Sequence, residues 1–250
     1  MKVRYDFGGH TVLVFGGASG VGEATARECA ALGAAVWSCD VGEVAAAGNV
    51  APAAGGGSLV SRRVDVASRA QVREFVAQAL DATGRIDGVV VTAAVQRRAP
   101  VEEIALDDWQ RHLDVNLTGL LHVLQAVVPA MKAQRSGSIV AFTSGLASAG
   151  WPGASAYAAT KAGIVGIVKC VAQELRPFGV RINALSPGLI ATPIFLDSAS
   201  AEELAMYERA LGVSTPAEVV PTLLHLLGEG SSSISGNVVE RRLIPARGGG

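Results

Sequence analysis

The sequence predicts a doubly wound α/β domain whose parallel sheet is covered by helices on both faces. Three observations lead there. Short runs rich in Val and Ile alternate with longer, Ala-rich segments of helical character. The strand-like runs read apolar throughout, as strands buried on both faces do, instead of alternating apolar and polar. No charged or Pro/Ser-rich linker interrupts the alternation, so the 250 residues are read as one domain, 1–250, with ample chain for a substantial core.

A first strand at Thr11–Phe15 runs into Gly16-Gly17-Ala18-Ser19-Gly20-Val21-Gly22, which opens a helix over 20–32. Such glycines permit a tight turn and let the backbone approach a pyrophosphate, which then rests on the positive end of the helix. The spacing is G-x-x-x-G-x-G, not the usual G-x-G-x-x-G, so alone it fits an ordinary glycine-rich turn equally well. A second strand, Ala35–Cys39, leads to Asp40, about 20 residues past the loop, where a carboxylate on the adenosine ribose is expected. That carboxylate would accept from free ribose hydroxyls and repel a 2′-phosphate. Ser19, Ser38, Cys39 and Val41 add no positive charge, so NAD is favoured over NADP. The competing reading of Asp40 is a turn or cap residue.

Residues 45–58, with Gly48, Pro52 and Gly55-Gly56-Gly57, make a poor helix and are read as a flexible surface connection. Strands at Leu59–Val64 and Gly88–Thr92 flank a helix over 69–83. Asp65 either accepts from the adenine amino group or serves the N-terminus of that helix. A long helix over 107–133 carries Asn116, a mediocre helix former suited to exposing a carbonyl or holding a water. The strand Ser138–Thr143 ends at Ser144, a helix spans 155–176, and a strand follows at Arg181–Leu185. Residues 194–211 follow a Thr-Pro step and read as a short helical excursion. The tail, 241–250, is basic, ends in three glycines and is expected to be mobile.

Tyr157 and Lys161 stand four apart on the 155–176 helix, hence on one face. A phenol loses its proton only near pH 10, but a fixed cation beside it favours the phenolate, giving an acid/base usable near neutrality. Many helices carry such a pair by chance. Ser144 lies at the carboxyl end of a strand, where ligands sit in this architecture.

Lys plus Arg (21) nearly balances Asp plus Glu (22), which argues against nucleic acid as a partner. The first residues lack the apolar core of a signal peptide, and no uninterrupted apolar run reaches the length needed to span a bilayer. Cys29, Cys39 and Cys170 form no C-x-x-C and read as free, buried thiols in a reducing compartment, so a cytoplasmic protein is expected. His10, His112, His122 and His225 show no ligand spacing, and no metal site is expected.

The glycine motif at 16–22, Asp65, Asn116, Ser144, Tyr157 with Lys161, and Pro187-Gly188 followed by Thr192 run in the order and spacing of one family. The chain resembles the short-chain dehydrogenases/reductases across roughly residues 8–240. The resemblance implies a three-layer Rossmann fold with a mostly parallel, seven-stranded sheet, and a catalytic set of Asn116, Ser144, Tyr157 and Lys161. Ser144 would donate to the substrate oxygen, and Tyr157 would exchange the proton with it. Lys161 would lower the Tyr157 pKa and hold the nicotinamide ribose. Asn116 would hold a water that relays protons. Gly16, Ser19, Gly20, Val21, Gly22, Asp40, Asp65, Val66, Thr92, Ala93, Ala94, Pro187, Gly188, Ile190 and Thr192 would line the cofactor, with Thr192 and the Ile190 backbone on the carboxamide. The implied enzyme is an NAD(H)-linked secondary-alcohol dehydrogenase or ketone reductase.

Three departures from the family stand out. Phe15 replaces the Thr before the first glycine, and Val91-Thr92-Ala93-Ala94 replaces Asn-Asn-Ala-Gly. Arg241-Arg242-Leu243 stands where an acidic, glycine-ended tail is common. Thr92 is expected to replace one amide hydrogen bond. Val95, Gln96, Leu146, Trp151, Leu189, Ile194 and Phe195 are the candidate substrate wall, mostly apolar and suited to a small or medium hydrophobic cyclic or aromatic substrate. Arg97-Arg98 either greets an anionic group or forms a solvated face. The alternatives are a ketoreductase of carrier- or coenzyme-bound 3-oxoacyl chains, which predicts NADPH, and a non-catalytic NAD-binding protein. Small residues at Ala158, Ala159, Ala162, Gly163 and Gly166 suit a homodimer or homotetramer, or plain packing on the sheet.

Overall fold

The computed structural model describes residues 4–42, 56–192, 202–203, 205–206 and 212–241. Its elements are β1 (Thr11–Phe15), α1 (Gly20–Ala31), β2 (Ala35–Asp40), β3 (Ser58–Arg63), α2 (Arg69–Thr83), β4 (Gly88–Val91), α3 (Leu106–His112), α4 (Gly119–Gln134), β5 (Gly137–Phe142), α5 (Leu146–Ala149), α6 (Ser155–Leu175), β6 (Val180–Ser186), α7 (Pro216–Leu227) and β7 (Val238–Glu240).

Seven strands form one sheet in the order β3-β2-β1-β4-β5-β6-β7. Every neighbouring pair is parallel, where a mostly parallel sheet was expected. The strand order reverses between β1 and β4, which opens a crevice at the carboxyl ends of the strands.

Strands that read apolar throughout do so because they face two cores. Leu13, Phe15, Val89, Val91, Ile139 and Ala141 point into one core, shared with α2, α4 and α6. Val12, Val14, Val90, Val140 and Phe142 point into the other, shared with α1 and α7.

Two elements differ from the sequence expectation. The helix expected over 107–133 is divided, because Leu113–Thr118 forms a π-helical turn between α3 and α4. Such a turn takes in an extra residue and breaks the regular i→i−4 bonding. Asn116 sits inside it, so the polar residue marks the irregularity. Helix α7 has no counterpart among the expected helices, because Pro216 and Pro221 argue against one. Pro216 stands in the first turn, where the missing N–H costs nothing. Thr215 and Glu218 form a capping box, with Glu218 Oε2 accepting from Thr215 N at 2.6 Å. Burial of Val219, Val220, Leu223, Leu224, Leu226 and Leu227 outweighs the cost of Pro221.

Cys29 and Cys39 are buried as expected, whereas Cys170 is exposed on the outer face of α6. Most of the 45–58 connection, most of the 194–211 excursion, including Ile194 and Phe195, and the tail beyond Arg241 lie outside the described residues.

Candidate active site

The turn after β1 is shaped by contacts that exclude any larger residue. Gly16 N and Gly17 N donate to Cys39 O at 2.8 and 3.0 Å. A Cβ on Gly16 would lie 2.4 Å from Ala93 N, and one on Gly22 would lie 2.0 Å from Gly16 O. Gly20, with φ +58°, opens α1. Ser19 precedes it in an extended conformation, and its hydroxyl makes no capping bond to the helix. Val21 and Gly22 are buried behind the turn. The first turn of α1 therefore presents N–H groups without a side-chain cap, the kind of helix terminus that can take an anion.

Thr92 stitches β4 to this turn. Its hydroxyl donates to Phe15 O at 3.1 Å and Gly16 O at 2.8 Å, while Thr92 N and Ala93 N both reach Phe15 O. The hydroxyl does what a side-chain amide at this position would do. Ala94 follows, partly buried.

Asp40 closes β2 and accepts from Ala18 N and Gly42 N, both at 3.1 Å. An ionised carboxylate has about four acceptor sites, so capacity remains for ribose hydroxyls. The sheet register pairs Asp40 with Arg63. The exposed Arg63 donates from Nε to Val41 O at 3.2 Å. This guanidinium, absent from the sequence reading, bonds the carbonyl of the residue after Asp40. Asp65 accepts from Ala67 N at 2.9 Å and pairs with Arg111 at 3.6 Å. Helix α2 is capped by Ser68 instead of Asp65. Val66 is buried against the Gly119 backbone.

The reacting end forms around β5 and α6. Ser144 stands two residues past β5, close enough to Tyr157 for its hydroxyl to favour the phenolate. Leu146 N donates to Ser144 Oγ at 3.2 Å, orienting that hydroxyl. Burial pushes the Tyr157 phenol up to about 12, and the Ser144 hydrogen bond pulls in the opposite direction. Lys161 is 2% exposed, and burial pushes its ammonium down to about 8. Its Nζ donates to Phe142 O at 2.8 Å and lies 5.5 Å from the centre of the Tyr157 ring. The expected fall in the Tyr157 pKa is not what the protein alone provides. The cation lies over the ring, and loss of solvent dominates.

Asn116 is buried and its side chain is fully engaged. Oδ1 accepts from Val95 N at 2.8 Å, while Nδ2 donates to Val95 O at 3.0 Å and to Thr160 Oγ1 at 3.1 Å. It clamps the segment after β4 to α6.

Beyond β6, Gly188 turns the chain with φ +80°. Ile190 is buried and bridges to Ser214, and its carbonyl accepts from Thr192 N at 2.7 Å. The Thr192 Cγ2 methyl lies 3.1 Å from where a Gly20 Cβ would stand, so this loop reaches back over the pyrophosphate turn.

Val95, Gln96, Leu146, Trp151 and Leu189 are all partly exposed at this end. Ala99 N donates to Gly153 O at 3.0 Å, tying the loop after β4 to the one carrying Trp151. Arg97 pairs with Asp108 at 3.0 Å and Arg98 with Glu203 at 3.0 Å, so carboxylates already answer the basic pair at the mouth.

Sequence reasoning missed several supporting groups. His112 accepts from Arg97 N through Nε2 at 3.1 Å and donates from Nδ1 to Asp108 O at 2.7 Å. Thr160 completes the Asn116 clamp. Arg241, seen only as an oddity of the tail, donates to Pro187 O at 2.9 Å. These partners are far apart in sequence, and no spacing announces them.

A family model described as short chain dehydrogenase matches residues 10–203. The 3-oxoacyl-(acyl-carrier-protein) reductase FabG of Thermotoga maritima is 37% identical over 234 residues, 92% of this chain and 95% of its own. The 2,5-dichloro-2,5-cyclohexadiene-1,4-diol dehydrogenase of Sphingobium indicum is 32% identical, over 93% of this chain and 95% of its own. Among solved structures, levodione reductase superposes with a TM-score of 0.84 at 27% identity, covering 94% of this chain and 97% of its own.

Proposed function

The chain belongs to the short-chain dehydrogenase family and is an oxidoreductase that uses a nicotinamide cofactor; from that premise we propose that it interconverts a small or medium hydrophobic ketone and its secondary alcohol with NAD(H). The carrying observation is the buried Tyr157, with Ser144 acting on its phenol and the Lys161 ammonium over its ring. The bound dinucleotide supplies or takes up the hydride.

The glycine turn and the first turn of α1 would bind the pyrophosphate, Asp40 the adenosine ribose, and Thr192 with the Ile190 backbone the carboxamide. Ser144 would donate to the substrate oxygen. In reduction the carbonyl carbon gains the hydride, and its oxygen takes the proton from Tyr157 Oη. A phenol held up to about 12 keeps that proton through neutral pH, which suits the reductive direction. Lys161 would repay the negative charge left on Tyr157, and a water held at the Asn116 turn would pass in the replacement proton from solvent. The apolar wall and the paired state of Arg97 and Arg98 support an uncharged substrate. A cyclic diol is in the name of the Sphingobium relative.

A second reading is reduction of carrier-bound 3-oxoacyl chains with NADPH. It is favoured by the Thermotoga relative and by Arg63, whose guanidinium could pair with a 2′-phosphate. We also infer self-association. Leu106–Gln134 and Ser155–Phe178 each hold an apolar stretch of 18 residues, with mean hydropathy 1.3 and 1.2, of which only 39% and 33% is buried. Each carries site residues on the face packed against the sheet. The exposed Leu121, Ala159, Ala162 and Gly166 offer the opposite faces to a second copy.

The deciding experiment follows nicotinamide absorbance with NADH and NADPH against cyclic ketones, aromatic ketones and 3-oxoacyl thioesters. Turnover confined to ketones with NADH supports the first reading. Turnover of the thioesters with NADPH replaces it with the second. Binding of either cofactor with no turnover of any carbonyl would count against both. Tyr157→Phe should bind cofactor and lose at least about a hundredfold in kcat.

A further inference from the structure

We propose that Arg241 is a positioning residue for the nicotinamide half of the cofactor site, acting through the loop Pro187–Thr192. The inference rests on the dinucleotide reading above and assigns a role to a residue that departs from the family's usual tail.

The geometry starts at the end of the sheet. Ser186 and Glu240 are register partners of β6 and β7, and Arg241 N donates to Ser186 O at 2.9 Å, carrying the pairing one residue further. This places the Arg241 side chain beside the outgoing loop. Its Nη1 donates to Pro187 O at 2.9 Å and to Ser214 Oγ at 3.3 Å.

Ser214 is buried and is itself fastened along the same loop. Its N and Oγ donate to Leu189 O at 2.9 and 3.3 Å, and its carbonyl accepts from Ala191 N at 3.0 Å. One guanidinium therefore holds the start of the loop directly and its middle through Ser214. Burial pulls the Arg241 pKa down, and Glu218 pulls it back up. A charge partly removed from water is costly unless its donors are met, and here the loop's acceptors meet them. Both bonds leave one nitrogen, Nη1, whose two N–H groups the planar guanidinium holds in fixed directions.

The loop belongs to the reacting half of the crevice. Asp40, on β2, lies on one side of the β1–β4 switch point, while Tyr157 and Ser144 stand at β5, next to β6, on the other. The far end of the loop brings Thr192 against Gly20. Letting Pro187 drift thus moves Thr192 over the nicotinamide side and leaves the Asp40 side untouched.

That asymmetry is the test. Dissociation constants are measured for NADH and NADPH, and for ADP-ribose and its 2′-phosphate, which lack the nicotinamide. Arg241→Met should weaken the intact dinucleotide that the wild type prefers by about tenfold or more, the worth of one charged hydrogen bond. Its nicotinamide-free counterpart should stay within about twofold. Arg241→Lys should recover part of the loss. Equal losses for both ligands, or no loss for either, overturns the proposal, since a merely structural role would not divide the cofactor. If Arg241→Met does not fold, as judged by thermal unfolding, Ser214→Ala and Arg241→Lys carry the same comparison with smaller losses. A wild type that binds none of the four ligands overturns the dinucleotide reading and this inference with it.

Discussion

The Lys161 ammonium lies 5.5 Å from the centre of the Tyr157 ring and donates to Phe142 O at 2.8 Å. Its charge is held beneath the phenol by a main-chain acceptor, in surroundings that push Lys161 down to about 8 and Tyr157 up to about 12. These opposed shifts have one cause, the loss of water around both groups.

Reduction needs the Tyr157 proton and benefits from the Lys161 charge. Tyr157 keeps its proton well above neutrality, so the limiting event on raising the pH is loss of the Lys161 proton. The kcat for reduction should hold to about pH 8 and decline above it. In Lys161→Arg, whose guanidinium does not titrate in this range, that decline should vanish even though kcat is lower. A decline near pH 8 that persists in the Arg variant would assign it to another group.

The same depressed pKa makes a stability statement. Between about 8 and the ordinary lysine value of 10.5, the unfolded chain binds a proton that the folded chain has released. Stability therefore rises with pH in this window, as the penalty for burying the cation, present in full below about 8, is relieved. Relative to Lys161→Met, wild-type stability in urea should improve from pH 8 to 10.5. A gap that stays constant would mean that Lys161 titrates normally.

Gly17 and Ser38 face each other so closely that a Cβ on Gly17 would stand 1.9 Å from Ser38 Oγ, a buried hydroxyl with no hydrogen-bond partner. Gly17→Ala should destabilise the protein and weaken cofactor binding. Ser38→Ala removes an unsatisfied group and should be neutral or stabilising. The double variant should recover part of the Gly17→Ala loss, and strict additivity in thermal melts would show that the two sites do not interact.

Asn116→Ala cuts all three bonds of the clamp on Val95 and Thr160. Leaving those buried groups unpaired should cost about 1–3 kcal/mol in stability. With Val95 in the proposed substrate wall, KM for the ketone should also rise. Thr160→Val removes one of the three bonds and should have a smaller effect. An Asn116→Ala protein with unchanged KM would show that Val95 does not line the pocket.

Asp40 and Arg63 act in opposite directions on a 2′-phosphate. Asp40→Ala should raise the affinity for NADPH relative to NADH, whereas Arg63→Ala should lower NADPH affinity and leave NADH almost unchanged. Fluorescence titration of both variants with both cofactors checks this. An Arg63→Ala protein with unaltered NADPH affinity removes the structural support for the second reading.

Apolar periodicity and the glycine loop located six strands and four helical stretches because burial on two faces and a turn against a phosphate each demand particular residues in a row. Helix α7 escaped because two prolines conceal what a capping box and a buried apolar stripe restore. The interruption at Leu113–Thr118 escaped because a π-turn adds a single residue, and the apolar pattern of one turn is too short to reveal that change of phase.

By itself the sequence determined the doubly wound parallel fold, the carboxyl-end crevice and which residue types could carry proton and hydride chemistry, since these follow from local patterns. Tertiary structure alone decided the state of those groups. Burial sets Tyr157 and Lys161 apart in pKa, the Asn116 amide is committed to Val95, Arg63 stands beside Asp40, and Arg241 braces the loop after β6. Each of these depends on groups brought together from distant parts of the chain, and desolvation and hydrogen bonding act through distance in space.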